Sequence, residues 1–402
     1  MLVILSSTAG FLVFSLLLAL LILLAKHLLV PDTLVPVTLN GKQQLTGSFG
    51  QSLLSVLADN DIHVPSACAG AGTCGLCRVH IDAGIPLANP IEKALLSAQQ
   101  VRCGERLACQ VHLRKALEID IADEVLQTHA WQATVISNRC LSTLIRELVL
   151  QPDDENFSFE PGDFVQITAP AGTVLLAAID PGDTYRADWT ELDIESQGVR
   201  SDEPQTRAYS LANRPEDLHV VTLMIRLALP PVDITPAVPP GFVSSWLFSR
   251  VAGDTVSISG PHRGFNIVDD TRELVFVGGG VGMAPLRSMI HRQIGRDHRE
   301  PMTFFYGART QADLLYRDEF DALSDARNGF NWVAALSEPD PDWGGERGFI
   351  HTILRSEFLE QHDTVQSCDY YLCGPPLMIK AVVAELRSAG VQDTHIYKDE
   401  FA

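Results

Sequence analysis

The residues of this chain best suited to chemistry are its cysteines, because five of the eight fall between residues 68 and 109. Three form a C-x5-C-x2-C pattern in a loop with three glycines, and a more distant one lies in the sequence ERLACQ. A close triplet with one distant cysteine is typical of plant-type [2Fe–2S] clusters, although the first gap here is one residue longer. The spacing predicts a [2Fe–2S] cluster with the ligands Cys68, Cys74, Cys77 and Cys109.

Two alternatives to this ligand set remain open. A zinc site can also begin with C-x2-C, but it usually adds a second close pair of ligands. His63, His80 and His112 lie nearby at no such spacing. Cys103 competes with Cys109 as the distant ligand, and we expect Cys103 to be a thiol that binds no metal. A disulfide framework is not expected, because a chain of 402 residues has no need of one.

The sequence Arg207-Ala208-Tyr209-Ser210 has the residue types that bind a flavin. The arginine can pair with a pyrophosphate, and the tyrosine can stack on the isoalloxazine ring. Ser210 can hydrogen-bond near the flavin nitrogen that accepts hydride, which makes it a candidate catalytic residue. Four residues alone are a weak signal, and an ordinary strand is the alternative.

A second segment, residues 240–245 (PGFVSS), strengthens the flavin prediction. A glycine precedes a helix start there, and free N–H groups at a helix N-terminus bind phosphate. Simple N-capping by the two serines is the alternative. Together the two segments predict FAD, bound by Arg207, Tyr209, Ser210, Gly241, Val243, Ser244 and Ser245.

Residues 275–285 (VFVGGGVGMAP) are a hydrophobic strand that leads into glycines and then into a helix with proline near its start. Such turns let the backbone approach a dinucleotide pyrophosphate, although this one is not a strict G-x-G-x-x-G motif. The segment predicts a nicotinamide dinucleotide site formed by Gly279, Gly280, Gly282, Met283, Ala284 and Pro285.

Residues 371–376 (YLCGPP) close another strand with a Gly/Pro turn. Strand ends of open α/β sheets face the ligand crevice. Cys373 is therefore expected beside the nicotinamide as a second candidate catalytic residue, with Gly374 and Pro375 as cofactor-binding residues. A buried structural cysteine is the alternative.

Two further residues are candidates for cofactor binding. Phe401, next to the end of the chain, either covers the flavin face or packs against the protein. Arg309, which follows the strand MTFFYGA, is a candidate to bind the 2′-phosphate of NADPH.

Three folded segments must position these residues. Residues 33–127 combine an Asn-Gly hairpin, a helix, the cysteine loop and further strands, which predicts an α+β ferredoxin-like domain of the β-grasp type. Residues 130–267 contain short strands with Gly/Pro turns, typical of an antiparallel β-barrel, with an acidic surface insertion at residues 178–205. Residues 270–402 alternate strands with helices, which predicts an α/β Rossmann-like domain.

The N-terminus differs from the rest of the chain, since residues 1–25 contain no charge. A run of about 20 apolar residues can span a bilayer, so residues 1–27 are predicted to form a transmembrane helix. A secretory signal peptide is the alternative, but a positive n-region and a cleavage site are not evident. The first cation, Lys26, follows the span, and the positive-inside rule then places the remaining chain in the cytoplasm.

The charge balance limits the choice of partners. The net charge is −20 and the sequence pI is about 4.9. A nucleic-acid backbone would be repelled, so nucleic acid is not an expected partner.

These motifs, in this order, resemble the F subunits of Na⁺-translocating NADH:quinone reductases over nearly the whole chain. The resemblance rests on ERLACQ, RAYSLAN, PPG-x-x-SSW, GGG-x-GMAP, YGAR and CGPP, on the N-terminal helix, and on the YRADW segment of the insertion. The C-terminal sequence YKDEFA departs from the family, because it carries a lysine and lacks the usual glycines.

The resemblance implies NADH, FAD and a [2Fe–2S] cluster held by the four cysteines above. It also implies that Cys373 lies near the nicotinamide and that Phe401 stacks on the flavin. The chain would sit in a bacterial inner membrane as a single-pass protein with its soluble domains in the cytoplasm. Its partners would be the other membrane subunits of the complex and, indirectly, ubiquinone.

The cofactors imply a mechanism. NADH gives two electrons as hydride, a cluster accepts one at a time, and a flavin can mediate between them. A mobile linker around residues 123–131 is a hypothesis that would let the cluster reach its partners.

Two rival functions share some of these features. A membrane-anchored reductase of an iron oxygenase or desaturase system would use the same motifs, but soluble oxygenase reductases lack the transmembrane helix. A membrane-tethered binding protein with vestigial motifs would be expected to have lost ligands, whereas the four cysteines and both nucleotide motifs are intact.

Overall fold

The computed structural model describes residues 11, 14–18, 21, 33–66, 68, 70–126, 129–153, 157–230, 238–268, 271–296, 300–326 and 329–400. The chain divides into two compact units, Met1–Gln127 and Thr128–Ala402. Within the described residues, no helix is both long enough and apolar enough to span a membrane. The transmembrane helix predicted at residues 1–27 falls mostly outside the described residues, and Phe401 lies outside them as well.

The first unit contains a mixed five-stranded sheet with short helices. Its strand order is β2-β1-β5-β3-β4, in which β1 and β5 are parallel and the other neighbours are antiparallel. The elements are β1 (Leu34–Leu39), β2 (Gln43–Ser48), α1 (Leu53–Ala58), β3 (Arg78–Ala83), α2 (Pro90–Leu95), α3 (Ala98–Arg102), β4 (Glu105–Leu107), β5 (Leu117–Asp120) and α4 (Asp123–Leu126). This arrangement agrees with the predicted α+β class.

The predicted Asn-Gly hairpin joins β1 to β2. Asn40 and Gly41 have φ values of 48° and 63° and form the two central residues of a β-turn closed by the Lys42 N–H, which donates to the Leu39 carbonyl at 3.0 Å. The Asn40 side chain also donates to the carbonyl of Ile121 and accepts its N–H, each at 2.9 Å. The turn is therefore tied to the chain just after β5.

The segment predicted as a mobile linker, residues 123–131, includes a short helix and the start of a strand. Residues 123–126 form α4, and β6 (His129–Ser142) begins three residues later. Trp131 in that strand is buried, and its indole N–H donates to the carbonyl of Gly260 at 2.8 Å. Mobility of this linker stays a hypothesis.

The second unit begins with a six-stranded antiparallel sheet of order β11-β8-β13-β6-β7-β12. An isolated bridge joins Leu211, which directly follows the outer strand β11, to Leu223 within the other outer strand, β12. Besides β6, the elements are β7 (Ile145–Pro152), β8 (Phe164–Ala169), β9 (Gly172–Leu175), α5 (Arg186–Glu191), β10 (Gly198–Ser201), β11 (Gln205–Ser210), β12 (Val221–Arg226), α6 (Phe242–Phe248) and β13 (Thr255–His262). The antiparallel pairing agrees with the sequence pattern, and closure into a barrel stays a prediction.

The acidic insertion is more than a surface loop. It contains α5 and the second strand of the β9–β10 hairpin, and its Trp189 and Ile194 side chains are buried in the hydrophobic core of the antiparallel sheet. The Trp189 indole N–H donates to the carbonyl of Thr143 at 2.9 Å. The insertion is rich in acidic residues, but buried apolar side chains anchor it.

The second unit continues with a six-stranded parallel sheet of order β17-β16-β15-β14-β18-β19. Its elements are β14 (Leu274–Gly279), α7 (Met283–Gly295), β15 (Met302–Ala308), α8 (Arg317–Ala326), β16 (Phe330–Leu336), β17 (Glu346–Arg347), α9 (Ile350–Leu354), β18 (Asp369–Gly374), α10 (Pro376–Ser388) and β19 (Ile396–Glu400). Hydrophobic clusters cover both faces, as parallel sheets require. The order reverses between β14 and β18, where ligands bind at the carboxyl ends of the strands.

Polar contacts join the two sheets of this unit. The Arg287 guanidinium binds both carboxylate oxygens of Glu319 at 2.7 and 2.8 Å and donates to the carbonyl of Ala212 at 2.7 Å. The Tyr316 hydroxyl donates to the buried Glu147 carboxylate. The two sheets therefore form one compact unit, and the predicted domain boundary near residue 268 stays a prediction.

Candidate functional site

The first unit brings the four predicted cluster ligands together. Cys68 and Cys74 lie in the glycine loop, and their Sγ atoms are 3.3 Å apart. Cys77 immediately precedes β3, Cys109 follows β4, and the two thiols are hydrogen-bonded to each other. The Ala108 N–H donates to the Cys77 carbonyl at 2.7 Å, which holds the two segments together. Four sulfur atoms therefore converge in two pairs.

The electrostatics of these thiols favour a bound cation. Within each pair the thiol–thiol hydrogen bond lowers the pKa of one cysteine, Cys68 or Cys109, and raises the pKa of its partner, Cys74 or Cys77. Each pair thus favours one thiolate, and a second thiolate in the same pair would need positive charge beside it. Two irons, each taking two thiolates, supply that charge.

Glycines give the loop the shape that a cluster needs. Gly70, Gly72 and Gly75 have φ values of 88°, 78° and 68°, a region that residues with a Cβ rarely adopt. A side chain at Gly72 would come within 2.6 Å of the Gln110 amide nitrogen. The same amide donates to the Cys109 sulfur at 3.4 Å, so a ligand sulfur already has an outer hydrogen-bond donor.

Cys103 lies apart from this arrangement. It caps the C-terminus of α3 and is exposed. None of the four clustered thiols interacts with it among the contacts of the described residues. Its position supports the prediction that it is not a ligand.

The predicted flavin residues Arg207, Tyr209 and Ser210 lie on β11, an outer strand that pairs with β8. Arg207 is exposed and donates only to the adjacent carbonyl of Thr206, at 2.8 Å, among its described contacts. Tyr209 packs against the core of the antiparallel sheet, and burial raises its pKa. Side chains alternate along a strand, so Arg207 and Tyr209 share a face and Ser210 lies on the other.

The second flavin segment forms α6, and the roles of its two serines differ. Gly241 precedes the helix without a capping side chain. The Ser244 hydroxyl accepts the Ala228 N–H at 3.2 Å and donates to the Gly241 carbonyl at 3.0 Å. The Ser245 hydroxyl is buried without a hydrogen-bond partner in the described structure. The Val243 side chain is buried, so only the Val243 backbone is available to bind a flavin phosphate.

The two predicted nicotinamide turns meet at the carboxyl ends of β14 and β18. Residues 280–282 make one 3₁₀ turn before α7. A Cβ on Gly282 would lie 2.0 Å from the carbonyl oxygen of Cys373, so only glycine fits between the turns. The Tyr306 hydroxyl donates to the Gly280 carbonyl at 3.0 Å and supports the turn from β15.

The remaining predicted residues shape these turns. Met283, Ala284 and Pro285 are buried in the first turn of α7, and Gly279 is buried at the end of β14. A Cβ on Gly279 would come within 2.8 Å of the Met378 sulfur.

Cys373 is less accessible than a catalytic role suggests. Its side chain is fully buried in β18, with Gly374 and the exposed Pro375 following it. Burial raises the pKa of the Cys373 thiol, and Asp399 raises it further. The thiol is therefore neutral and packed. Glu400, the last described residue, pairs with Gly374 at this same edge.

Glu338 is a residue at this edge that the sequence did not predict. Arg309, the candidate for a 2′-phosphate, forms an ion pair with Glu338, with Nη2 and Oε2 2.9 Å apart. Its position shortly after β16 is the only sequence feature that could have indicated a role for Glu338. A single acidic residue after a strand forms no recognisable motif.

A second group of possible metal ligands lies at the opposite edge of the parallel sheet. Ligand atoms of Glu273, His362 and Cys368 are within 4.8 Å of one another. The His362 Nδ1 accepts the Thr364 N–H at 3.2 Å, so the ring proton is on Nε2, 3.0 Å from Glu273. In the described contacts the group is therefore a hydrogen-bonded cluster, in which a metal ion would first have to displace the Nε2 proton.

Family models match both functional regions. Residues 37–114 match the model described as a 2Fe-2S iron-sulfur cluster binding domain, and residues 276–384 match the oxidoreductase NAD-binding domain. These matches confirm the predictions of a [2Fe–2S] cluster and a nicotinamide dinucleotide.

Solved structures define the class of fold. A cytochrome P450 reductase from Amycolatopsis, GcoB, has a TM-score of 0.63 and 24% identity, covering 91% of this chain and 98% of its own. A ferredoxin reductase in carbazole 1,9a-dioxygenase has a TM-score of 0.59 and 25% identity, covering 92% and 99%. The chain thus has a ferredoxin-reductase-like fold together with an iron–sulfur and a nicotinamide-binding domain, as predicted, and this fold agrees with FAD as the flavin.

Curated relatives narrow this class to one family. The F subunit of the Na(+)-translocating NADH-quinone reductase of Neisseria meningitidis is 40% identical over 395 residues, which is 97% of each chain. The F subunits of the same enzyme in Shewanella denitrificans and Methylococcus capsulatus are each 41% identical, covering 96% and 94% of both chains. The chain belongs to the family of F subunits of Na⁺-translocating NADH-quinone reductases, which confirms the predicted family.

Proposed function

We propose that this chain is the electron-input subunit of a membrane respiratory complex. It oxidises NADH by hydride transfer to FAD and sends electrons singly through a [2Fe–2S] cluster toward ubiquinone, and the whole complex couples this to Na⁺ translocation. The observation that carries the proposal is that four paired thiols and a Gly-rich dinucleotide turn occur in one chain. Family membership supports the same conclusion.

The four cysteines would hold the cluster as two pairs. Cys68 and Cys74 would bind one iron, and Cys77 and Cys109 would bind the other, because these are the pairs whose sulfur atoms are in contact. The buried positions of Cys77 and Cys109 exclude water from one side of the cluster. A low local dielectric strengthens the interaction of thiolates with iron.

The predicted flavin residues would each bind a different part of FAD. When bound, FAD accepts two electrons as hydride and can release them one at a time. Arg207, exposed and without a carboxylate partner among its described contacts, would pair with the pyrophosphate. Tyr209 would stack on the isoalloxazine ring, and Ser210 would hydrogen-bond to the ring edge as a catalytic residue. The Gly241–Ser245 segment would meet the phosphates through backbone N–H groups and the Ser245 hydroxyl, which has no partner in the described structure.

The nicotinamide residues would position NADH at the carboxyl edge of the parallel sheet. The glycines of residues 279–282 would let the pyrophosphate approach the backbone, with Met283, Ala284 and Pro285 fixing the start of α7. Cys373, Gly374 and Pro375 would form the floor beneath the nicotinamide. Because the thiol is buried, we infer that Cys373 acts by its shape and excludes water rather than by donating a proton. Phe401 would cover the flavin.

The folded units would work at a membrane. Residues 1–27 would anchor the chain as a single-pass helix in a bacterial inner membrane, with the soluble part in the cytoplasm. Its partners would be the other membrane subunits of the complex. Residues 130–267 would close into the FAD-binding barrel, which the Leu211–Leu223 bridge supports. The alternative, an oxygenase or desaturase reductase, has less support because the curated relatives that are 40% and 41% identical over nearly the whole chain are F subunits of Na⁺-translocating NADH-quinone reductases.

Steady-state NADH oxidation by the full-length chain in detergent tests this proposal. We expect fast reduction of ferricyanide, and little reduction of quinone until the partner subunits are added. A chain that never drives quinone reduction in its own membranes, but reduces an oxygenase component, would favour the alternative. A chain without NADH oxidation, purified with flavin and cluster, would refute the proposal.

A further inference from the structure

Arg309 and Glu338 lie side by side at the carboxyl ends of neighbouring strands. Arg309 directly follows β15, and one residue separates Glu338 from the end of β16. Strand pairing continues past both strands, since the Ser337 N–H donates to the Ala308 carbonyl at 3.0 Å and the Glu338 N–H donates to the Arg309 carbonyl at 2.8 Å. The adjacent strand, β14, carries the Gly-rich turn at this same edge. Dinucleotides bind along such an edge.

The Arg309 guanidinium is already occupied. Its Nε and Nη2 donate to the two carboxylate oxygens of Glu338 at 3.2 and 2.9 Å. This fork-to-fork geometry is also the one by which arginine binds a phosphate. The pairing lowers the pKa of Glu338 and raises the pKa of Arg309, so both groups are charged at neutral pH.

The segments that follow β15 and β16 carry further carboxylates, and Arg347 in the second segment is already hydrogen-bonded. Asp313 contributes to the raised pKa of Arg309. The Asp340 carboxylate accepts the Gln311 amide at 3.4 Å. Arg347 donates to backbone carbonyls, including that of Trp343 at 2.7 Å. The Glu338 and Asp313 carboxylates would repel a 2′-phosphate, which carries a charge of roughly −1.5 to −2. Ribose hydroxyls, in contrast, can donate hydrogen bonds to a carboxylate.

We propose that Glu338 selects NADH over NADPH, by holding Arg309 in an ion pair and by presenting its carboxylate to the adenosine ribose. This specificity role rests on the proposed function, because it requires that the carboxyl edge of the parallel sheet binds the dinucleotide. Without the Glu338 charge, Arg309 is free to bind a 2′-phosphate, and the same chain accepts NADPH.

Glu338→Gln tests the proposal, because it removes the charge and keeps the side-chain shape. The full-length chain is assayed with NADH and with NADPH, using ferricyanide as acceptor. We expect kcat/KM for NADPH to rise by about 10- to 100-fold, the range available from one freed bidentate contact and one removed repulsion. The double variant Glu338→Gln with Arg309→Gln loses this gain. The matched control is Asp393→Asn, in the exposed pair of Arg387 and Asp393 at 2.8 and 3.0 Å, which leaves the NADPH/NADH ratio unchanged.

Equilibrium binding of 2′,5′-ADP by calorimetry gives a second measurement that needs no turnover. Glu338→Gln is expected to bind this probe more tightly than wild type by a similar factor, while binding of ADP changes little. The proposal is overturned if Glu338→Gln oxidises NADH but keeps both the wild-type NADPH/NADH ratio and the wild-type affinity for 2′,5′-ADP. A wild-type chain that fails to oxidise NADH would instead refute the proposed function, and 2′,5′-ADP binding would still decide the role of Glu338.

Discussion

Replacing Gly282 by alanine would put a methyl group into the tightest contact of the dinucleotide turn. The new Cβ would lie 2.0 Å from the Cys373 carbonyl oxygen and 2.4 Å from its carbon. Both partners are backbone atoms at the end of a strand, so a rotamer change cannot relieve the clash. One of the two turns must move by about 1 Å before this contact even reaches 3.0 Å, and a misplacement of that size can cost about 100-fold in rate.

We therefore expect Gly282→Ala to lower kcat/KM for NADH by about 100-fold and the free energy of unfolding by about 1–3 kcal/mol, as for overpacked cores. The assay is NADH–ferricyanide activity, with chemical denaturation followed by fluorescence. Gly295→Ala is the matched control on the same helix, because a Cβ there meets nothing within 4 Å. It should keep full activity and gain up to about 1 kcal/mol in stability. A Gly282→Ala protein with wild-type kcat/KM and stability would refute the assigned geometry.

Two further predictions concern the cluster and the pH dependence of stability. Cys109→Ser should lose the [2Fe–2S] EPR signal, whereas Cys103→Ser should keep it; the reverse result would move the fourth ligand to Cys103. The pKa of Glu319 is lowered to about 2 although burial opposes the shift, because hydrogen bonds from His291 and Arg287 outweigh it. A lowered carboxyl pKa stabilises the fold above the unfolded-state pKa, and this stability is lost as the pH falls toward 2. Chemical denaturation of wild type and Glu319→Gln at decreasing pH from 7 should show a smaller loss of unfolding free energy in the variant. Equal losses in the two proteins would show that Glu319 is not the source of this pH dependence.

Local sequence spacing was sufficient to predict those features of the fold and site that depend on only a few neighbouring residues. The C-x5-C-x2-C loop predicted three converging thiols, and the glycines after β14 predicted a turn that only glycine can form. Strand alternation and the change to alternating strands and helices predicted the antiparallel and parallel sheets. These signals act over short distances, so no knowledge of the packing was needed.

Long-range contacts were not predictable in this way. Glu147 and Tyr316 are 169 residues apart, and Glu338 reaches Arg309 only because β15 and β16 are neighbours in the sheet. Trp189 anchors an insertion whose sequence is rich in acidic residues. The Ser244 hydroxyl accepts the N–H of Ala228, 16 residues away, and the Cys373 side chain is buried in the parallel sheet. Each of these depends on which elements pack together, and no single stretch of the sequence carries that information.

The central claim is that one chain carries electrons from NADH to a [2Fe–2S] cluster. The most direct test is EPR of the full-length chain, purified anaerobically with FAD, before and after addition of NADH. We predict no cluster signal before addition, because the oxidised cluster is EPR-silent, and a rhombic [2Fe–2S] signal after it. A protein that contains zinc in place of iron, or a cluster that dithionite reduces but NADH does not, would contradict the account.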